Sequence, residues 1–250
     1  MSEPYGHTRS VVGSRYALIT PAGLVRAPLP GWPGAACAVL ISPGMGARFA
    51  QYLVTLGAGA VGQGERLREE LFIYLHAGAV TLSVAGQRAE LRPGGYAYLP
   101  PGANYSIRPA SEREPAELLV FQRTYTPLAG IPVPEPVIGQ EQDLIGAPFM
   151  GDEGALLKTL LPDLPAFDMA VNIFTFMPGA TLPMVETHIM EHGLMMLDGQ
   201  GIYRLGDDWH PVQAGDVIWM APYCPQWFVA TGKSPARYIY YKDVNRDPLL

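Results

Sequence analysis

The chain carries two copies of one pattern, and that repetition constrains its fold more than any other feature. Gly78, Gly94 and Pro101 are each matched 121 positions later, by Gly199, Gly215 and Pro222. Around these anchors the text agrees as well, with LRPGGYAYLPPGANY (91–105) lying over VQAGDVIWMAPYCPQ (212–226). Each copy reads as an apolar run, a glycine, a second run, a glycine-containing turn, a third run ending at proline, and a fourth. The runs are short, alternating and rich in Val, Ile, Tyr, Phe and Trp, as in FAQYLVTL (49–56), VTLSV (80–84), VNIFTF (171–176) and ARYIYYK (236–242). Such runs are strands. Several of them with regular turn signals form a sandwich or barrel, whose closure hides strand edges. With 28 glycines and 25 prolines the chain is too heavily punctuated for long helices. The repeat therefore predicts an all-β protein of two tandem barrels. Residues 1–33 form an N-terminal arm, 34–125 the first barrel, 126–165 a proline-rich linker with a short helix near 153–161, and 166–250 the second barrel.

Composition narrows the partners. Apolar residues make up 48% of the chain and charged ones 16%, so little of it is expected to be disordered. A net charge of −6 argues against nucleic acid, because a phosphate backbone rewards basic surfaces. No apolar run is long enough to span a membrane, and the N-terminus lacks the apolar stretch of a secretion signal. Cys37 and Cys224 are the only cysteines, and two buried thiols in a reducing cytoplasm fit better than a bridge. An acidic cytoplasmic protein acting on a small molecule is expected.

The two copies differ where chemistry would sit. In the second, GATLPMVETHIMEHGLMMLDGQG (179–201) packs Glu186, His188 and His192 into seven residues of a chain with five histidines. The same shift of 121 places Glu65, Leu67 and Leu71 at those positions in the first copy, and Tyr105 opposite Gln226. The first barrel is therefore expected to bind no metal. Residues two apart on a strand share a face, so Glu186 and His188 can both point inward. His188 and His192 would stand about 13 Å apart on an extended strand, so the chain must bend near Met190–Glu191 to bring them together. Gln226 then closes the set from another strand. One carboxylate, two imidazoles and an amide oxygen form a mixed oxygen–nitrogen site suited to Mn²⁺ or Fe²⁺. Two bland readings compete: a helical zinc pair, disfavoured by the flanking Gly and Pro, and ordinary core histidines. His7 falls in a loose arm, and His76 and His210 are isolated and read as structural. Met184, Met190, Met195, Met196 and Met220 read as core filler.

In the last strand, ARYIYYKD (236–243), Tyr238, Tyr240 and Lys242 fall on one face. If that face is interior, the lysine is a candidate proton carrier; if the strand is an exposed edge, the lysine guards against aggregation. Spacing alone leaves both open. The same position in the first copy is Phe121.

The segment from Glu186 to Trp227 (ETHIMEHGLMMLDGQGIYRLGDDWHPVQAGDVIWMAPYCPQW), followed by YIYYKDVNRDPL (238–249), resembles the C-terminal half of the (S)-ureidoglycine aminohydrolases, a bicupin family of purine catabolism. The resemblance extends to RYALITPAGLV (15–25), FAQYLVTL and GGYAYLPPG (94–102), and so covers nearly the whole chain. Cupins usually place His, Glu and His at the first, third and fourth ligand positions. Here these positions hold Glu186, His192 and Gln226, a departure the family shares. The resemblance implies two tandem cupin barrels, a Mn²⁺ site of Glu186, His188, His192 and Gln226, and substrate contacts from Glu186, Tyr203, Tyr238 and Lys242. It also implies hydrolysis of (S)-ureidoglycine to (S)-ureidoglycolate and ammonia in a homo-oligomer. Their shared location in the polar barrel makes Lys242 and Glu186 the expected carriers of protons in that reaction. A cupin oxygenase or isomerase acting on a small carboxylic acid, and a non-catalytic binding module, are the alternatives.

Overall fold

The computed structural model describes residues 6–65 and 67–247 and is built almost wholly of strands. The first half contributes β1 (Val11–Val12), β2 (Tyr16–Ile19), β3 (Ala27–Pro28), β4 (Ala35–Ile41), β5 (Ala50–Leu56), β6 (Gly62–Glu65), β7 (Glu69–Ala77), β8 (Val80–Val84), β9 (Gln87–Leu91), β10 (Gly95–Leu99), β11 (Asn104–Pro109) and β12 (Ala116–Thr124). After it come β13 (Val137–Gln140), β14 (Ala147–Phe149), β15 (Asp152–Thr159), β16 (Met169–Phe176), β17 (His192–Asp198), β18 (Gln200–Leu205), β19 (Asp208–Gln213), β20 (Val217–Met220), β21 (Gln226–Thr231) and β22 (Ala236–Asp243).

These strands make two barrels, each from a large and a small sheet. In the first barrel the order β13-β10-β7-β12-β5-β4-β3 faces β6-β11-β8-β9, and in the second β1-β2-β20-β17-β22-β16-β15-β14 faces β19-β18-β21. Three apolar cores result: one inside each barrel, and a third where the two large sheets pack together. That third core explains the unbroken burial of β20 and of most of β17, since a strand covered on both faces needs no polar side. Along β22 the strand period sorts the residues: Tyr238 and Tyr240 enter the barrel interior, whereas Ile239 and Tyr241 join the shared core. Cys37 and Cys224 lie in the cores of different barrels, both as free thiols.

The structure draws two boundaries differently from the sequence. Residues 152–159 are a strand, not part of a helix. DEGALLKT has helix-forming residues, but it pairs with β14 through a hairpin whose turn puts Met150 and Gly151 at positive φ, and it pairs with β16 from Ala155↔Phe176 to Thr159↔Asn172. Sheet pairing and burial of Ala155 outweigh local propensity. The second barrel accordingly begins near Ala147, and the expected linker shrinks from its C-terminal side. Its remaining part carries β13, which covers the free edge of β10. The arm is likewise committed: β1 and β2 extend the second barrel through Tyr16↔Met220 and Ile19↔Val217, although the chain then enters the first.

The repeated glycines have one physical cause. Gly78 and Gly199 sit at φ +77 and +73, and a Cβ on either would lie 2.6 or 2.5 Å from the carbonyl oxygen of Pro115 or Pro235. Both the backbone conformation and the space exclude a side chain. Gly199→Ala is expected to lower unfolding stability by about 2–4 kcal/mol, combining the left-handed penalty with overpacking. Denaturant titration checks this; a loss under about 1 kcal/mol would mean the hairpin relaxes freely.

Candidate active site

The second barrel encloses a cavity of about 160 Å³ lined by Glu186, His188, His192, Gln226, Tyr203, Tyr238 and Lys242, together with Tyr240 and apolar side chains that include Phe174 and Met220. Every residue singled out from the sequence as a site residue therefore reaches one space. That volume lies below the roughly 300–1,000 Å³ of pockets for drug-sized ligands, and suits a molecule of amino-acid size.

Local structure explains the convergence. Glu186 pairs with Gln226 by two backbone hydrogen bonds, Glu186 N to Gln226 O at 2.9 Å and the reverse at 3.0 Å. After His188 the chain turns, and the His188 Nδ1–H donates to Met190 O at 3.2 Å. His192 then opens β17, in register with Met220 on one side and Lys242 on the other. The bend leaves His188 Nε2 only 3.1 Å from His192 Nε2 and 3.0 Å from Gln226 Nε2, with Glu186 Oε2 at 3.9 Å. The expected bend is present, and β22 is a central strand whose Lys242 faces the cavity, so the edge-strand reading falls.

Burial sets the electrostatics. It pushes the His192 imidazole down to about 3, helped by the nearby His188 and Lys242, and it also lowers His188. Both rings are therefore neutral at neutral pH. The same burial raises the Glu186 carboxyl against the pull of the Lys242 charge, and raises the hydroxyls of Tyr203 and Tyr238, whose rings lie 6.2 Å apart.

These donors fit a divalent ion. With Nδ1 of His188 committed to a carbonyl, its Nε2 lone pair faces the cavity, as a ligating imidazole requires. Adjacent ligands of an octahedral ion with bonds of about 2.2 Å lie about 3.1 Å apart, the spacing seen here between the imidazole nitrogens. Rotating the Gln226 amide would present its oxygen instead of its nitrogen. Among the described residues no three His, Cys, Asp or Glu side chains already form a closed coordination sphere. Glu186 is the member that must draw in.

The first barrel shows what the same scaffold does without these groups. The register Leu71↔Leu99 matches His192↔Met220, so Leu71 stands for His192 as expected. In the last strand, however, the counterpart of Lys242 is Gln122 and not Phe121: Gln122 pairs with Leu71 as Lys242 pairs with His192. The offset there is 120, one residue short of that in the middle strands. Leu71, Leu82, Leu118 and Val120 occupy the positions of His192, Tyr203, Tyr238 and Tyr240. Trp32 from the arm fills the remaining space and donates its indole N–H to Tyr105 Oη at 3.1 Å. Among the methionines read as core filler, Met184 is instead half exposed.

Comparison with known proteins agrees with this architecture. Residues 172–241, which run from β16 to β22, match the family model described as a cupin domain. The (S)-ureidoglycine aminohydrolase of Arabidopsis thaliana is 43% identical over 98% of this chain and 80% of its own length. That of Escherichia coli (strain K12) is 38% identical over 93% of this chain and 89% of its own. The chain belongs to the (S)-ureidoglycine aminohydrolase family. A crystal structure of the protein Ylba from E. coli superposes with a TM-score of 0.86 at 35% identity, covering 96% of both chains. The two-barrel layout is thus shared with that structure along nearly the whole chain.

Tyr240, placed by its spacing on one face with Tyr238 and Lys242, was not counted among the site residues, and a second feature of the site lay beyond sequence reading. Tyr240 shares the cavity face with Tyr238, stacks on Phe174 and receives a hydrogen bond from Asn172 Nδ2 at 3.1 Å. Its place two residues before Lys242 was the available signal. The polar contacts that hold the histidine bend from outside had no such signal.

Proposed function

We propose that this chain hydrolyses (S)-ureidoglycine to (S)-ureidoglycolate and ammonia, as a step of allantoin breakdown, with Mn²⁺ or another divalent ion such as Fe²⁺ held by Glu186, His188, His192 and Gln226. The observation that carries this reading is the convergence of those four side chains beside Lys242, in a chain of this family. A bound divalent ion would supply Lewis-acid polarisation and a fixed anchor for the substrate's amine and carboxylate.

The rest falls to the protein. In the net reaction the bond from the central carbon to the amine breaks, a bond to water oxygen forms, and one water proton ends on the departing ammonia. Lys242 gives a proton to the leaving amine and Glu186 takes one from water, a reading supported by the presence of both in the cavity lining. Tyr203 and Tyr238 orient the ureido group through their hydroxyls. Phe174, Leu182 and Leu194 keep bulk water away. The free thiols of Cys37 and Cys224 support a cytoplasmic location, and the family resemblance supports a homo-oligomer. No helix among the described residues is long and apolar enough to cross a membrane.

The test is ammonia release from freshly generated ureidoglycine by chelator-treated protein. Added Mn²⁺ is expected to restore turnover. Release no faster than the spontaneous rate with either Mn²⁺ or Fe²⁺ would defeat the proposal, and oxygen uptake with Fe²⁺ would favour an oxygenase.

A further inference from the structure

The bend that brings His188 to His192 is tied from outside the second barrel. Glu191, between the two histidines, has a side chain only 1% exposed, yet it points away from the cavity. Its carboxylate accepts the Arg48 backbone N–H at 3.0 and 3.1 Å, Arg48 Nε at 3.2 Å and Trp219 Nε1 at 2.8 Å. Arg48 Nη2 also donates to Asp243 Oδ2 at 2.7 Å, and Asp243 Oδ1 accepts the Glu191 backbone N–H at 2.6 Å. The bonds close a ring: carboxylate of Glu191, guanidinium of Arg48, carboxylate of Asp243, backbone of Glu191.

Both carboxylate members of this ring adjoin a residue of the cavity. Glu191 precedes His192, and Asp243 follows Lys242. Arg48 belongs to the segment leading into β5, a strand of the first barrel. The next residue, Phe49, stacks on Tyr241 at 4.2 Å and lies so close to Gly193 that a Cβ there would meet its ring at 2.4 Å. A guanidinium fork holds two carboxylates in a fixed mutual geometry, which a freely rotating ammonium does not impose.

We infer that Arg48 is a positioning residue: through Glu191 and Asp243 the first barrel sets the separation of His188 from His192 and the placement of Lys242. This gives the apolar-filled barrel a part in the chemistry of the other one. The inference rests on the reading of the four side chains as a divalent-ion site. It predicts an effect from a residue that touches neither substrate nor ion.

The experiment measures Mn²⁺ affinity by calorimetric titration of the full chain, with thermal unfolding of the metal-free protein recorded alongside. The wild type is compared with Arg48→Ala, Asp243→Asn and the double variant. The Arg48 side chain is 47% exposed, so its alanine variant is expected to fold. Its Mn²⁺ affinity should fall about 10–100-fold, the usual cost of losing a group that orients a ligand. The double variant should lose little more than either single one, because both break the same ring. Affinity within about twofold of wild type in folded Arg48→Ala, or fully additive losses, would overturn the inference; a role in packing alone would lower the unfolding temperature and leave affinity unchanged. Failure of the wild type itself to take up Mn²⁺ would mark the site reading as the one at fault, and the positioning role would fall with it.

Discussion

His192→Ala should abolish Mn²⁺ uptake and slow ammonia release by at least about 10³-fold, since polarisation by a metal supplies several kcal/mol of transition-state stabilisation. The imidazole is 6% exposed and its Nε2 stands 3.1 Å from that of His188. No other nitrogen or oxygen donor on β17 faces that point: Leu194 is the next residue on its cavity side. Removing the ring leaves His188, Gln226 and a half-buried Glu186, a set too sparse to hold an ion against water. The fold should survive, because β17 stays paired with β20 and β22 through backbone bonds. The molecule contains its own control. Leu71 holds the equivalent position in the first barrel, and Leu71→Ala should cost about 2–5 kcal/mol of stability by opening a cavity while leaving Mn²⁺ stoichiometry unchanged. Metal analysis and denaturant titration of the two variants read both effects. Undiminished Mn²⁺ binding by His192→Ala would place the ion elsewhere and remove the basis of the proposed function.

The sequence revealed the barrels because period-2 alternation and paired glycines are local signals. Gly78 and Gly199 recur since each lies against a backbone carbonyl, a constraint that only glycine meets. The two histidines were legible for a related reason: a duplicated scaffold exposes positions where one copy holds imidazoles and the other holds leucine, at Leu67 and Leu71. What failed was whatever depends on distant pairing. Residues 152–159 favour a helix by composition, yet β14 and β16 make them a strand. A one-residue difference between the copies shifts the counterpart of Lys242 from Phe121 to Gln122, invisible until the strands are paired. The docking of β2 on the second barrel and the contact of Arg48 with Glu191 join residues from opposite halves, and no spacing within either half encodes them.

Lys242→Met should lower kcat by about 10²–10⁴-fold while leaving Mn²⁺ affinity within severalfold of the wild type, as expected when a proton carrier is lost but the ligands remain. The substitution keeps the length and packing of the side chain and deletes its charge. Lys242 lies in the middle of a sheet, between His192 on β17 and Ala170 on β16, with its side chain toward the cavity. Among the described residues it forms no salt bridge or hydrogen bond. The residue is half-buried, and its position is explained if an anionic substrate or a departing amine completes its contacts. Two roles are separable by kinetics. Were Lys242 merely a binding group for the carboxylate, KM would rise and kcat would stay; as a proton carrier its loss must appear in kcat. Gln122, the first barrel's residue at this position, shows that the scaffold accepts a neutral polar side chain there, so Lys242→Gln should fold normally and give the same kinetic outcome. Near-normal turnover by either variant with metal bound would take the lysine out of the mechanism and leave Glu186 to move both protons.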